Sequence, residues 1–203
     1  LNNMFEVEKK FILKEGDEES LIKGAKPLGE YAFSDTYYDK GSYPLAKKNI
    51  WLRSRDGRWE LKIGENEGGC GKKDSVDHYE KIETEGGIRK VLGVEHYASL
   101  ADDLEREGYK PVATFTTKRR SYKSGKFNID IDEASFGYNV VEIERVIEDR
   151  QNADKAAEEI AEFAKKRGLE GGRVHGKVME YIKQHDPQSY PGIIGAWKQT
   201  SVR

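Results

Sequence analysis

Apolar and polar residues alternate along the N-terminal stretch FEVEKKF: Phe5, Val7 and Phe11 fall on one side of an extended chain, and Glu6, Glu8 and Lys10 on the other. The same two-residue period recurs and predicts eight strands: Met4–Leu13, Tyr31–Asp39, Asn49–Asp56, Arg58–Ile63, Asp77–Glu85, Val112–Lys123, Lys126–Ala134 and Tyr138–Ile147. Asp56-Gly57 and Ser124-Gly125 read as hairpin turns, and Phe136-Gly137 separates the last two strands. A spacing of three and four replaces the alternation in three places. Between Glu95 and Glu107 it carries Tyr97, Leu100 and Leu104; from Asn152 to about Gly168, Ala156, Ile160 and Ala164; between Gly172 and His185, Val174, Val178 and Ile182. A weaker helical start lies near Asp17.

Eight strands joined mostly by short links predict an α+β fold: a closed or nearly closed eight-stranded antiparallel β-barrel with helices packed on its outside. No solenoid repeat or low-complexity linker divides the chain, so a single domain over 1–203 is expected, with a core of about 4–186 and a C-terminal tail at 187–203.

The strand faces are sorted by charge as well as by polarity. Trp51, Arg53 and Arg55 oppose Ile50 and Leu52; Glu60 and Lys62 oppose Trp59, Leu61 and Ile63; Asp130 and Asp132 oppose Ile129 and Ile131; Glu142 and Glu144 oppose Val141 and Ile143. Either the oily faces fill a barrel core and the charges meet solvent, or the oily faces point outward and the charges line the inside. Three amphipathic helices need an apolar surface to cover, which favours the second arrangement. An interior of carboxylates and guanidiniums is tolerable only if wide enough for water, ions and a charged ligand, which makes it a tunnel.

The overall charge adds a restriction. The 35 Lys and Arg nearly balance the 37 Asp and Glu, for a net charge of -2, so nothing recommends nucleic acid or an anionic membrane as partner. The single cysteine, Cys70, leaves no internal disulfide; it lies in the Gly- and Lys-rich run GENEGGCGKK, read as a loop. No apolar run approaches the roughly 18 residues of a membrane helix, and no signal-peptide core opens the sequence, so a cytoplasmic monomer is expected.

Six carboxylates, Glu6, Glu8, Asp130, Asp132, Glu142 and Glu144, form a hard oxygen set suited to Mg²⁺ or Mn²⁺. Lys10, Arg53, Arg55, Lys62 and either Lys118 or Arg119 suit phosphate groups. Taken singly, each pair is an ordinary solvated face; taken together, they fit a chain of phosphates bridged to a divalent metal. Trp51, at the end of an arginine row, is either a rim or core tryptophan or a platform for a cationic heteroaromatic ring. Lys177, beside the stripe of Val174, Val178 and Tyr181, reads from the residues alone as an edge lysine reaching to solvent. The four histidines show no ligand spacing.

With these motifs in order, EVEKK resembles the ExExK signature of the CYTH superfamily, the triphosphate tunnel metalloenzymes. DTYYD at 35–39, WLRSR at 51–55, WELK at 59–62, TKR at 117–119, DIDEASFGY at 130–138 and VEIE at 141–144 are similar to its successive strands, most of all in the animal thiamine triphosphatase branch. The resemblance implies that Glu6, Glu8, Asp132, Glu142 and Glu144 hold the metal. It implies that Lys10, Arg53, Arg55, Lys62, Arg119 and Lys177 grip the triphosphate, and that Trp51 stacks on an organic ring. A Tyr37 and Lys62 dyad would help activate water; activation by a second metal is the alternative. The implied activity is hydrolysis of thiamine triphosphate to thiamine diphosphate and phosphate. Inorganic tripolyphosphate hydrolysis and a non-catalytic polyphosphate- or nucleotide-binding module are the alternatives, and adenylyl cyclase is disfavoured because no adenine site is found. The stretch DHYEKIETE departs from the pattern: Lys81 stands where an acidic residue is usual, and a role there could pass to Glu80 or Glu83.

Overall fold

The alternation of FEVEKKF folds into strand β1 (Phe5–Phe11), which pairs with a strand on each side and closes a ring. The computed structural model describes residues 5–64, 77–169, 172 and 174–200. Cys70 and its loop lie outside them, as does Met4. Around the ring, β1 is followed by β5 (Asp77–Ile82), β4 (Arg58–Gly64), β3 (Ile50–Arg55), β2 (Lys26–Asp39), β6 (Lys110–Ser124), β7 (Phe127–Ala134) and β8 (Tyr138–Ile147), which returns to β1. Every neighbour is antiparallel. The expected eight-stranded antiparallel barrel is therefore the observed fold. The Asp56-Gly57 turn has φ of 47° and 82°, the two left-handed residues that a tight hairpin between twisted strands requires.

Among the described residues six α-helices accompany the barrel: α1 (Asp17–Ile22), α2 (Glu85–Leu92), α3 (Leu100–Arg106), α4 (Ala153–Lys166), α5 (Lys177–His185) and α6 (Tyr190–Thr200). On β1, β7 and β8 the oily faces point outward: Val7, Ile129 and Ile143 are buried beneath Ala156, Ile160 and Ala164 of α4. Leu52 and Leu61, from β3 and β4, meet Ile88 of α2 and Leu100 and Leu104 of α3. The strands β2 and β6 are arranged differently. Their outward residues Ser34, Thr114, Thr116 and Lys118 are exposed, while Phe33, Tyr37 and Phe115 share the inward faces with Asp35 and Arg119. At this end Val178 and Ile182 of α5 and Ile193 of α6 pack on Tyr37, Ala113 and Phe115, so part of the core lies inside the ring.

Several boundaries differ from expectation for identifiable reasons. The strand expected to run to Glu85 stops at Ile82, and Glu85–Leu92 is helical despite Gly86 and Gly87. Thr84 caps α2 by accepting from the Gly87 amide, and a Cβ at residue 87 would lie 2.8 Å from that threonine oxygen. The helix expected over Glu95–Glu107 begins only at Leu100, because Asp103 accepts from the Tyr97 and Ala98 amides and from Arg89 and holds the preceding residues irregular. Gly172 and residues 174–176 are not helical, so this helix begins only at Lys177, and residues 190–200 of the expected tail form α6. Among the described residues no helix is long and apolar enough to cross a membrane.

Candidate functional site

The inward faces enclose a cavity of about 180 Å³, and strand register decides which charges meet within it. Opposite signs face each other at four inward pairs: Lys10 opposes Glu142, Arg53 opposes Glu60, Arg55 opposes Asp35 and Arg119 opposes Asp132. Other inward pairs bring like charges together. Lys62 of β4 opposes Lys81 of β5, Asp130 of β7 opposes Glu142 of β8, and Glu8 of β1 opposes both Asp77 of β5 and Glu144 of β8, placements that cost stability unless something else neutralises them.

The acidic meeting of Glu8 and Glu144 is the candidate metal centre. Glu6, Glu8 and Glu144 each offer an oxygen within 4.8 Å of the others. Burial, followed by the charges of Glu6 and Glu8, pushes the Glu144 carboxyl up to about 7. Cations hold the rim of this cluster: Lys62 Nζ lies 2.5 Å from Glu6 and 3.5 Å from Glu8, Lys81 lies 3.4 Å from Glu6, and Lys10 bridges Glu8 at 2.5 Å and Asp77 at 2.7 Å. Buried, anionic, all-oxygen donors are what a hard divalent cation takes.

The other two expected metal ligands are engaged elsewhere. Asp132 is fully buried and accepts two 2.6 Å hydrogen bonds from Arg119 and a third from Lys177. Glu142 accepts from Arg119 at 3.0 Å and lies 3.9 Å from Lys177; burial alone would raise its carboxyl, but Lys177 and Arg119 hold it well below the usual range. Arg119 also donates to Asp130 at 2.5 Å. Of the Lys118 and Arg119 alternatives, Arg119 is the inward residue and Lys118 is exposed. Lys177 is no edge lysine: Gly176, extended just before α5, leads into it, and Lys177 is buried against Asp132 in the barrel interior.

A second cationic group lies across the cavity. Arg55 makes a bidentate pair with the fully buried Asp35, both bonds 2.8 Å, and Arg53 lies 2.6 Å from Glu60. The ring of Phe33 sits between guanidiniums, 3.8 Å from that of Arg55 and 5.3 Å from that of Arg119. Tyr37 and Lys62 line the same cavity but have different companions. The Tyr37 hydroxyl accepts from Arg53 at 3.2 Å, and burial raises its phenol, whereas Lys62 lies 5.3 Å from the ring centre of Tyr79. Trp51 lines the cavity and meets Trp197 of α6 edge-on, with ring centres 6.1 Å apart.

Sequence reasoning placed no site on β5, yet Asp77, Tyr79 and Lys81 all line the cavity, and Lys81 pairs with Glu6, Glu60 and Glu83. Their shared parity was the available signal; it places Glu80 on the opposite face. Asn49 and Trp197 had no comparable signature, since one reaches the cavity from a turn and the other from a distant helix.

A CYTH domain model matches residues 4–174. Over 94% of its length and 90% of theirs, the chain is 30% identical to thiamine-triphosphatase from Homo sapiens and from Macaca fascicularis. Among solved structures, the PH1819 protein of Pyrococcus horikoshii shares the fold with a TM-score of 0.64 at 18% identity, covering 89% of this chain and 99% of that one. A candidate adenylyl cyclase from Hippeastrum, described as having a dominant triphosphatase activity, superposes with a TM-score of 0.57 at 14% identity, over 89% of this chain and 96% of its own. With its charge-sorted barrel interior and a family match spanning most of its length, this chain belongs to the CYTH domain family.

Proposed function

We propose that the chain hydrolyses thiamine triphosphate to thiamine diphosphate and phosphate with the help of Mg²⁺, for which Mn²⁺ could substitute. The observation that carries this reading is the separation of charge within one cavity: a three-carboxylate cluster, two sets of arginine and lysine, and an indole beside them. The two relatives named thiamine-triphosphatase support the choice of organic group.

Glu6, Glu8 and Glu144 would hold the metal, which supplies charge neutralisation at phosphate oxygens. Arg119 and Lys177 stand on Asp132 and Glu142, and Arg53 and Arg55 on Glu60 and Asp35, so their positions are set before a ligand arrives. They bind the triphosphate and stabilise charge on the terminal phosphoryl group while water attacks in line and the bond to the bridging oxygen breaks. Lys10 and Lys62 hold further phosphate oxygens. Tyr37 enters with its proton on: its hydroxyl accepts from Arg53, which leaves its own hydrogen to donate to a phosphate oxygen. Tyr37→Phe is accordingly expected to lower kcat about tenfold without changing the shape of its pH profile; a lost limb in that profile would make Tyr37 the base.

The direct test is Mg²⁺-dependent phosphate release from thiamine triphosphate, tripolyphosphate and ATP. A kcat/KM at least ~10-fold higher for thiamine triphosphate is the expected outcome. Equal or better use of tripolyphosphate would assign the tunnel to the inorganic substrate, and binding without turnover of any would overturn hydrolysis.

A further inference from the structure

We propose that Asn49 and Trp197 are positioning residues that lock the indole of Trp51 into the cavity wall, and that this lock sets the preference for a triphosphate carrying a cationic heteroaromatic ring. The inference rests on the reading of Trp51 as the stacking platform and goes beyond it by naming what holds the platform.

The lock is built on the 3-10 turn Ala46–Lys48, which ends at Asn49 in the left-handed conformation, φ 55° and ψ 38°. Asparagine tolerates that conformation. The Asn49 main chain is held from both sides: its amide donates to the Ala46 carbonyl at 3.0 Å, and its carbonyl accepts from the Gly64 amide at 2.8 Å. Its side-chain oxygen then accepts the indole N–H of Trp51 at 3.0 Å. From α6, Trp197 donates its own indole N–H at 2.7 Å to the carbonyl of Ala46, the one that also accepts from Asn49. The two indoles meet at an interplanar angle of 82°.

Gly64, at the end of β4, supplies an independent observation. Its φ lies outside the left-handed region, yet a Cβ there would stand 2.0 Å from the Asn49 side-chain nitrogen Nδ2 and 2.5 Å from its Cγ. Close approach of the Asn49 side chain is therefore what requires glycine at this position. Because Asn49 occupies the Trp51 N–H, the indole has no donor to offer a phosphate, and its π surface is what it can present to a ligand. That surface attracts a cationic ring and does nothing for tripolyphosphate.

The readout is the ratio of kcat/KM on thiamine triphosphate to kcat/KM on tripolyphosphate. Asn49→Gly keeps the left-handed backbone while deleting the acceptor, and the ratio is expected to fall about tenfold, chiefly through KM for thiamine triphosphate. Asn49→Asp restores an oxygen acceptor and should recover most of the ratio. Gly64→Ala, which displaces Asn49 from the opposite side, and Trp197→Leu, which removes the edge-on ring, should lower the ratio as well and carry the test should Asn49→Gly fail to fold. An unchanged ratio in the folded variants overturns the lock, as does failure of Asn49→Asp to recover. A wild-type protein with no preference for thiamine triphosphate refutes instead the functional reading on which the lock rests.

Discussion

Glu8→Gln is expected to lower Mg²⁺-dependent kcat by about 10³-fold or more, since metal neutralisation of phosphate charge contributes several kcal/mol and ~4 kcal/mol corresponds to that factor. The substitution keeps the shape of the side chain but removes one of three anionic donors. The fold should survive: Lys10 retains Asp77, Lys62 retains Glu6, and the like-charge opposition of Glu8 and Glu144 disappears. A pH signature accompanies the loss. In the metal-free protein the Glu144 carboxyl sits at about 7 instead of its ordinary 4.5, because of burial and then of Glu6 and Glu8. A raised carboxyl contributes stability that is present below its ordinary pKa and is lost as pH rises through the folded value. Between about pH 5 and pH 8 without metal, Glu8→Gln should therefore lose less Tm than wild type. Calorimetric Mg²⁺ titration and thermal melts check both halves; full turnover in Glu8→Gln would remove this cluster from the reaction.

Arg119→Met is expected to cost about 3–5 kcal/mol of stability, because it strips the guanidinium from three buried or half-buried carboxylates at once. Asp132, fully buried, would be left with Lys177, while Asp130 and Glu142 lose their 2.5 Å and 3.0 Å contacts. In a protein of this size that is a fall of about 6–20 °C in Tm. Adding Asp132→Asn should return part of the stability, since a neutral amide needs less compensation, yet leave activity as low as in the single variant. Thermal denaturation and phosphate release on both proteins distinguish a cation that acts on substrate from one that only balances the interior. Recovery of activity together with stability would count against a substrate role.

The barrel was legible because β1, β3, β4, β7 and β8 each carry a two-residue period with charge concentrated on one side, interrupted at Lys9, Glu133 and Arg145 and at Val140 and Val146, which favours one arrangement once amphipathic helices must be covered. The strands β2 and β6 kept the period but inverted its content: Ser and Thr face water, and Tyr37 and Phe115 face inward beneath α5. Composition could not announce that inversion, because α5 and α6 supply the covering surface from far along the chain. The α2 helix went unread because Gly86 and Gly87 argue against a helix locally, and the Thr84 cap that rescues it needs a glycine for steric room. The PGIIGAW stretch at 191–197 likewise has little helical propensity, and α6 is held by packing of Ile193 and Trp197.

For the site, parity alone put Glu6, Glu8 and Lys10, Arg53 and Arg55, Lys62, Asp132, and Glu142 and Glu144 on inward faces, and the structure places them there. It could not say which charge opposes which. Register did that, setting Glu8 against Glu144 and Lys62 against Lys81 while giving Asp132 to Arg119. Resemblance brought Lys177 into the site, and only the fold shows its reach from the start of α5 to Asp132.

The chain's own sequence determined the alternation, the sorting of charge by face and hence an inside-out barrel, because side-chain direction along a strand is a local property with a period of two. Pairing across strands, the closing of one end by α5 and α6, and the holding of Trp51 by Asn49 and Trp197 were decided by tertiary structure. These depend on register and on contacts between residues as far apart as Ala46 and Trp197, separations over which no local period carries information.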